Sequence, residues 1–187
     1  MLQLSALLWG MAGLFAVVGW LRGLNKELIA MAGIVLGLFA LFQFDGFLRN
    51  QLLVSFTADQ KFFIQTILFG VVVFFAYQTR ALIGEEAARA RENRQSKEGG
   101  RDALQSGILG ALAGFINGYL IWGSIWYFMH INNYPLAPFV TAPVQGSPSA
   151  DTVSILPLYF LAGGPAGSGD LLALAVILLF LFVLIVI

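Results

Sequence analysis

The chain has 187 residues, of which 59% are hydrophobic and 11% charged, where a soluble domain carries about 25% charged residues. Ten basic residues balance ten acidic ones, so net charge gives no reason to expect nucleic acid as a partner. No cysteine is present, which excludes disulfides, thiolate metal sites and cysteine nucleophiles together.

So little polar surface cannot cover a globule, and a lipid bilayer becomes the expected partner. In lipid, backbone polar groups must be satisfied within each segment, which favours helices. The predicted fold is all-α and polytopic, with about five transmembrane helices. Apolar runs over residues 2–21, 28–44, 62–78, 104–129 and 171–187 approach or exceed the roughly 20 residues that a hydrocarbon core about 30 Å thick demands. The first run has no basic residue before it and has Arg22 and Lys26 after it. That is the pattern of a retained span rather than a cleavable signal peptide.

Between the first two runs lies "LRGLNKEL", residues 21–28. Gly23 and Asn25 suit a tight turn. Glu27 falls in the first turn of the second helix, where a carboxylate complements the helix dipole. Arg22 and Lys26 anchor this end of the hairpin. Segment 45–61, between the second and third runs, is too polar to cross. Its Leu48, Leu52 and Phe56 repeat at a helical spacing, which suits either a short interfacial helix or a plain loop.

After the third run, residues 80–102 hold six basic and five acidic residues. The stretch 85–100 reads as a charged soluble helix with interleaved signs, and Gly99-Gly100 ends it. Alternating spans put segments 22–27 and 80–102 on one side, with eight basic residues, and segment 45–61 on the other, with two. Basic residues flanking spans favour the cytoplasm, so the N-terminus is expected outside.

The fourth run contains "GILGALAGFINGYL", residues 107–120. Gly110, Gly114 and Gly118 fall four apart, with Gly107 close to the same stripe, and Gly33 and Gly37 repeat the spacing in the second run. Small residues so spaced let helix backbones approach closely in lipid, within the chain or between chains. Asn117 lies inside this run and needs a hydrogen-bonding partner there. The lone histidine, His130, sits at the outer interface and cannot by itself form a multi-histidine metal site.

Residues 131–170 contain all six prolines and are expected to be extended or turn-like, with 153–162 lying on the interface or over the outer helix ends. "GGPAGSGD" lacks the Gly-Lys-Ser/Thr of a phosphate loop, so Ser168 or Asp170 is read as the cap of the last helix. No cofactor or metal is expected, and no nucleophile, base and orienter can be assembled from spacing.

Two blocks resemble the colicin V production protein (CvpA) family over about residues 1–130. In "AVVGWLRGLNKELIAMAGIVLGLFALF" the family's Arg-Gly and later Glu match Arg22, Gly23 and Glu27. In "GGRDALQSGILGALAGFINGYLIWG" the start of the family's later helix matches Arg101 and Asp102, although Ala103 follows the Asp. The family's later Arg-Gly is here Asn117-Gly118. The resemblance implies a four-helix membrane domain over 1–130; the Pro/Gly-rich outer segment 131–170 and the helix expected at 171–187 go beyond the family's usual four spans. It also implies a non-enzymatic protein of the bacterial inner membrane, tied to toxin export or envelope homeostasis through partner proteins or self-association. An accessory subunit of a larger membrane complex is the alternative reading, and a small channel or transporter the third.

Overall fold

In the computed structural model, residues 3–78 and 100–186 are described. The charged segment expected as a helix over 85–100 lies almost wholly outside them, as do the side chains of Arg101 and Asp102. The described residues form α1 (Leu4–Arg22), α2 (Leu24–Phe47), α3 (Ala58–Tyr77), α4 (Gly100–Ile131), α5 (Pro148–Val153), α6 (Pro157–Ala162) and α7 (Asp170–Val186). Four helices are long and apolar enough to cross a membrane: α1, α2 with its extension to Leu52, α3, and α4 from Leu104 onward. The fifth expected span, α7, is more apolar than these four and is described over 17 residues.

The α1–α2 junction is tighter than the expected turn over 22–27. Gly23 alone connects the helices, with φ +79°, and its N–H closes α1 on the Gly19 carbonyl at 2.9 Å. A positive φ lets one glycine reverse direction without a Cβ clash, so Asn25 already belongs to α2. The two helices joined there are not the closest pair. α1 packs chiefly along α4, and α2 contacts α3, α4 and α7.

Glycine decides which helices approach. A Cβ at Gly114 would stand 2.9 Å from Gly19 Cα, one at Gly118 would stand 2.8 Å from Ala12 Cα, and Gly110 meets the Gly23 backbone at the same range. Gly107 faces the Trp20 ring. The fourth-run stripe is thus filled by α1. Gly33 and Gly37 face Ala76 and Val72 of α3. Trp9 stacks on Phe115 and Tyr119 of α4, at 6.0 and 5.9 Å between ring centres, which accounts for an indole placed within the apolar zone.

One end of the bundle, the junction end, carries Gly23 and Tyr77. The other, the loop end, carries the chain reversals at 48–57 and 132–169. At the loop end α2 does not stop for a separate interfacial helix. It runs on through a wider turn over Leu48–Leu52, whose Leu52 is exposed. α3 starts four residues before the apolar run, where Thr57 and Gln60 form a reciprocal capping box.

The proline-rich segment is more helical than expected. Pro148 and Pro157 occupy the first turns of α5 and α6, where a missing N–H costs nothing and a fixed φ helps. Ser147 caps α5, and Ser149 pairs with Ser5 at the start of α1 at 3.1 Å. Leu156 and Leu158 are fully buried, and Pro157 fits against Gly123, so 153–162 lies over the helix ends. Gly169 (φ +77°) precedes α7, while Ser168 donates to the Asp170 carboxylate at 2.6 Å. Here too the glycine, rather than the expected Ser168 or Asp170, takes the turn.

Candidate functional site: a buried carboxylate at the helix junction

Because α2 begins directly after Gly23, Glu27 lies one turn inside it and points into the bundle with no solvent exposure. Three helices supply its partners. Arg22, the last residue of α1, donates from Nη1 to Oε1 at 2.7 Å. Tyr77, the last residue of α3, donates from its hydroxyl to Oε2 at 3.1 Å. Asn117 of α4, also fully buried, donates from Nδ2 to Oε2 at 2.8 Å and to the Glu27 carbonyl at 3.0 Å.

Arg22 is held from a second side. Its guanidinium lies 4.4 Å from the centre of the Tyr77 ring and reaches the Tyr77 carbonyl at 3.4 Å. The cation thus meets a carboxylate, a carbonyl and a π face. A carboxylate with no solvent contact requires such pairing, because an isolated buried charge is very costly. The centre therefore joins the ends of α1 and α3 to the beginning of α2 and the middle of α4. Lys26, one residue before Glu27, is half-buried on the adjoining turn.

A second polar network closes the loop end. Asp45 stands 18 residues after Glu27 on α2, five full turns and about 27 Å away on the same face. Arg49 Nε donates to both Asp45 oxygens at 2.9 Å. Its Nη1 reaches Asn132 Oδ1 at 3.3 Å and its Nη2 reaches Gln65 Oε1 at 3.2 Å. Gln65 donates back to Asp45 at 2.7 Å, and Asn132 donates to Gln65 at 2.9 Å and to the Phe128 carbonyl at 2.7 Å. Between the networks, Ile34, Leu38 and Phe69 are fully buried and apolar.

Sequence reading named Arg22, Gly23, Glu27 and Asn117, and the structure brings all four together. Tyr77 was not among the expected site residues, and Asp45, Arg49 and Asn132 fell in segments read as a short interfacial helix or a loop (45–61) and as extended or turn-like (131–170). The i, i+4 spacing of Asp45 and Arg49 was an available signal. Gly19, whose backbone meets Gly110 and Gly114, had none, since Gly10 and Gly13 share its helix and face open space. His130 Nδ1 bonds the Tyr134 hydroxyl at 3.0 Å. Among the described residues no three His, Asp or Glu side chains gather as a metal site.

The junction residues are the ones that carry the resemblance noted in the sequence, and a family model, colicin V production protein, matches residues 4–154. The chain belongs to that family. The match begins with α1 and ends after α5, so both polar networks lie within it and α7 lies beyond it. No curated protein and no solved structure matches the chain. As a member of the colicin V production family with four membrane-length helices, it is a polytopic helical membrane protein.

Proposed function

We propose that this family member is a non-enzymatic protein of the bacterial inner membrane that supports toxin export or envelope homeostasis through protein partners. The observation that carries the reading is the family match over 4–154. The geometry supports it, because the charged groups of both networks bond to one another and tie helices together. The junction end, with Arg22 and Lys26, faces the cytoplasm in this reading.

An accessory subunit of a larger membrane assembly is favoured by α7. That helix packs on α2 along one side and exposes Ile177, Leu178, Phe180 and Leu184 along the other. That exposed face is suited to lateral contact with another apolar helix. A transport path, the third reading, has to draw Asn117 away from Glu27.

The test is the native mass of the protein extracted from its own membranes in mild detergent, with every co-migrating chain identified. One or a few copies of the 20.3 kDa chain with substoichiometric envelope proteins supports the first reading. A large particle of fixed composition overturns it in favour of the second.

A further inference from the structure

At the loop end a cavity of about 610 Å³ lies among α2, α4, α6 and the turn before α7. Asp45, Arg49 and Gln65 are among its polar lining residues, and Leu41, Phe42 and Leu158 lie on its apolar walls. The Asp45–Arg49 pair is only half-buried, with side chains 29% and 23% exposed.

The pair retains bonding capacity. A guanidinium has five N–H donors. Arg49 uses one at Nε, one at Nη1 and one at Nη2, which leaves two. Asp45 Oδ1 accepts from Arg49 and Gln65, whereas Oδ2 accepts from Arg49 alone. Both residues line the cavity, and both keep unused bonding capacity.

Charge selects the ligand. Asp45 and Arg49 are the only acidic and basic side chains in the lining apart from His130, so at neutral pH the wall is strongly polar but carries no net charge. A net anion meets the Asp45 carboxylate, and a net cation meets Arg49. A ligand with both charges a few bonds apart satisfies both. The site also adjoins the point where α2 passes from the apolar Phe44 to Asp45, and its apolar walls suit the acyl chains of an amphiphile. Tyr159, whose hydroxyl is held protonated because burial raises it above its ordinary value, adds a neutral polar group to the same wall.

We propose that this cavity binds a phosphate–ammonium zwitterion, the headgroup chemistry of phosphatidylethanolamine, with the phosphate on Arg49 and the ammonium on Asp45. A bilayer lipid and a free phosphoethanolamine ester carry the same chemistry, and the experiment separates them.

The delipidated full chain in mild detergent is titrated with phosphatidylethanolamine or phosphatidylglycerol, and bound lipid is counted by native mass spectrometry. One phosphatidylethanolamine per chain is expected, held about tenfold more tightly than phosphatidylglycerol, since one charge-assisted contact is worth roughly that factor. Arg49→Gln should weaken it by about tenfold through the same contact. Because Arg49 also ties three helices together, Ser168→Trp is the decisive variant. It fills the cavity from an exposed lining position and leaves the ion pair intact. Equal retention of the two lipids, or unchanged retention in a folded Ser168→Trp protein, overturns the proposal. Glycerophosphoethanolamine that displaces the lipid at matched concentration supports the zwitterion site with a free ligand as its source. Failure to displace supports the bilayer lipid.

Discussion

Arg22 and Glu27 are unequal partners, and that inequality predicts an order of stabilities. Glu27 has no solvent exposure, whereas the Arg22 side chain is 25% exposed at the end of its helix. Arg22→Leu removes the cation that is bonded to this fully buried carboxylate. Removing one member of a buried pair costs about 3–5 kcal/mol. The Tyr77 and Asn117 donors remain, so the lower part of that range, about 3 kcal/mol, is expected here.

Glu27→Gln costs less. Gln keeps the shape and one acceptor, and Arg22 can swing its charged head toward water along its flexible stem. Hydrogen bonds between membrane helices average about 0.6 kcal/mol and reach about 1.7. Losing the ionic component of one and weakening another gives about 1–2 kcal/mol. The double replacement Arg22→Leu with Glu27→Leu removes both charges together and should be more stable than Arg22→Leu alone, by about 1–2 kcal/mol, because apolar groups can replace a buried pair at little cost. Reversible unfolding in mixed micelles, followed by far-ultraviolet circular dichroism, reads all three. If Arg22→Leu costs under about 1 kcal/mol, as an exposed pair would, or if the double variant is no more stable than Arg22→Leu alone, Glu27 is not a buried charge that depends on Arg22.

Gly114→Val should separate α1 from α4, since its Cβ has Gly19 backbone at 2.9 Å. A loss of about 3 kcal/mol is expected from overpacking, measured by the same unfolding assay. Gly13→Ala, at a position with nothing within 4 Å, should be neutral or gain up to about 1 kcal/mol from helix propensity; a cost comparable to Gly114→Val removes the packing argument. Asn117→Leu should lose about 1–2 kcal/mol because two donations to Glu27 disappear. If the chain also conducts a solute through that position, flux in reconstituted vesicles must vanish with it, and unchanged flux removes Asn117 from any path. With no native cysteine, single cysteines report topology cleanly. Phe139→Cys, 94% exposed at the loop end, should react with a membrane-impermeant maleimide in intact cells, and Gln78→Cys at the junction end only after permeabilisation; the reverse pattern overturns the orientation.

Long apolar runs made the helices legible, because the bilayer sets one length scale and the backbone has few alternatives within it. Ends were less legible. The second run appeared to begin at Leu28, but Leu24, Asn25 and Lys26 are already helical, since a polar first turn is compatible with helix once Gly23 alone makes the reversal. Glu27 lies in the first turn of α2, as expected, but its side chain is buried in the bundle. Its partners could not be read from spacing, because Tyr77 and Asn117 lie 50 and 90 residues away and periodicity reports only on neighbours along one helix. Regular glycine spacing located the stripe on α4. The complementary residue, Gly19, belongs to no spacing and is defined only by what packs on it.

Both ionic networks are built on α2, one at each end of a fully apolar middle. Glu27 and Asp45 share a helix face because 18 residues make five whole turns, so one rigid helix fixes both. Each carboxylate is paired with an arginine at the end of a transmembrane run and with a side-chain amide: Asn117 of α4 at one end and, at the other, Gln65 of α3, which Asn132 just beyond α4 bonds in turn. Neither network is reachable from the other through polar side chains across Ile34 and Leu38. A helix pinned at both ends and dry between them resists sliding along its axis, since a one-residue shift turns both carboxylates away from their partners together. That property suits a fixed frame better than an element that ratchets during transport. It places any functional variation at the ends, where the half-buried Arg49 and Arg22 meet what lies outside the bundle.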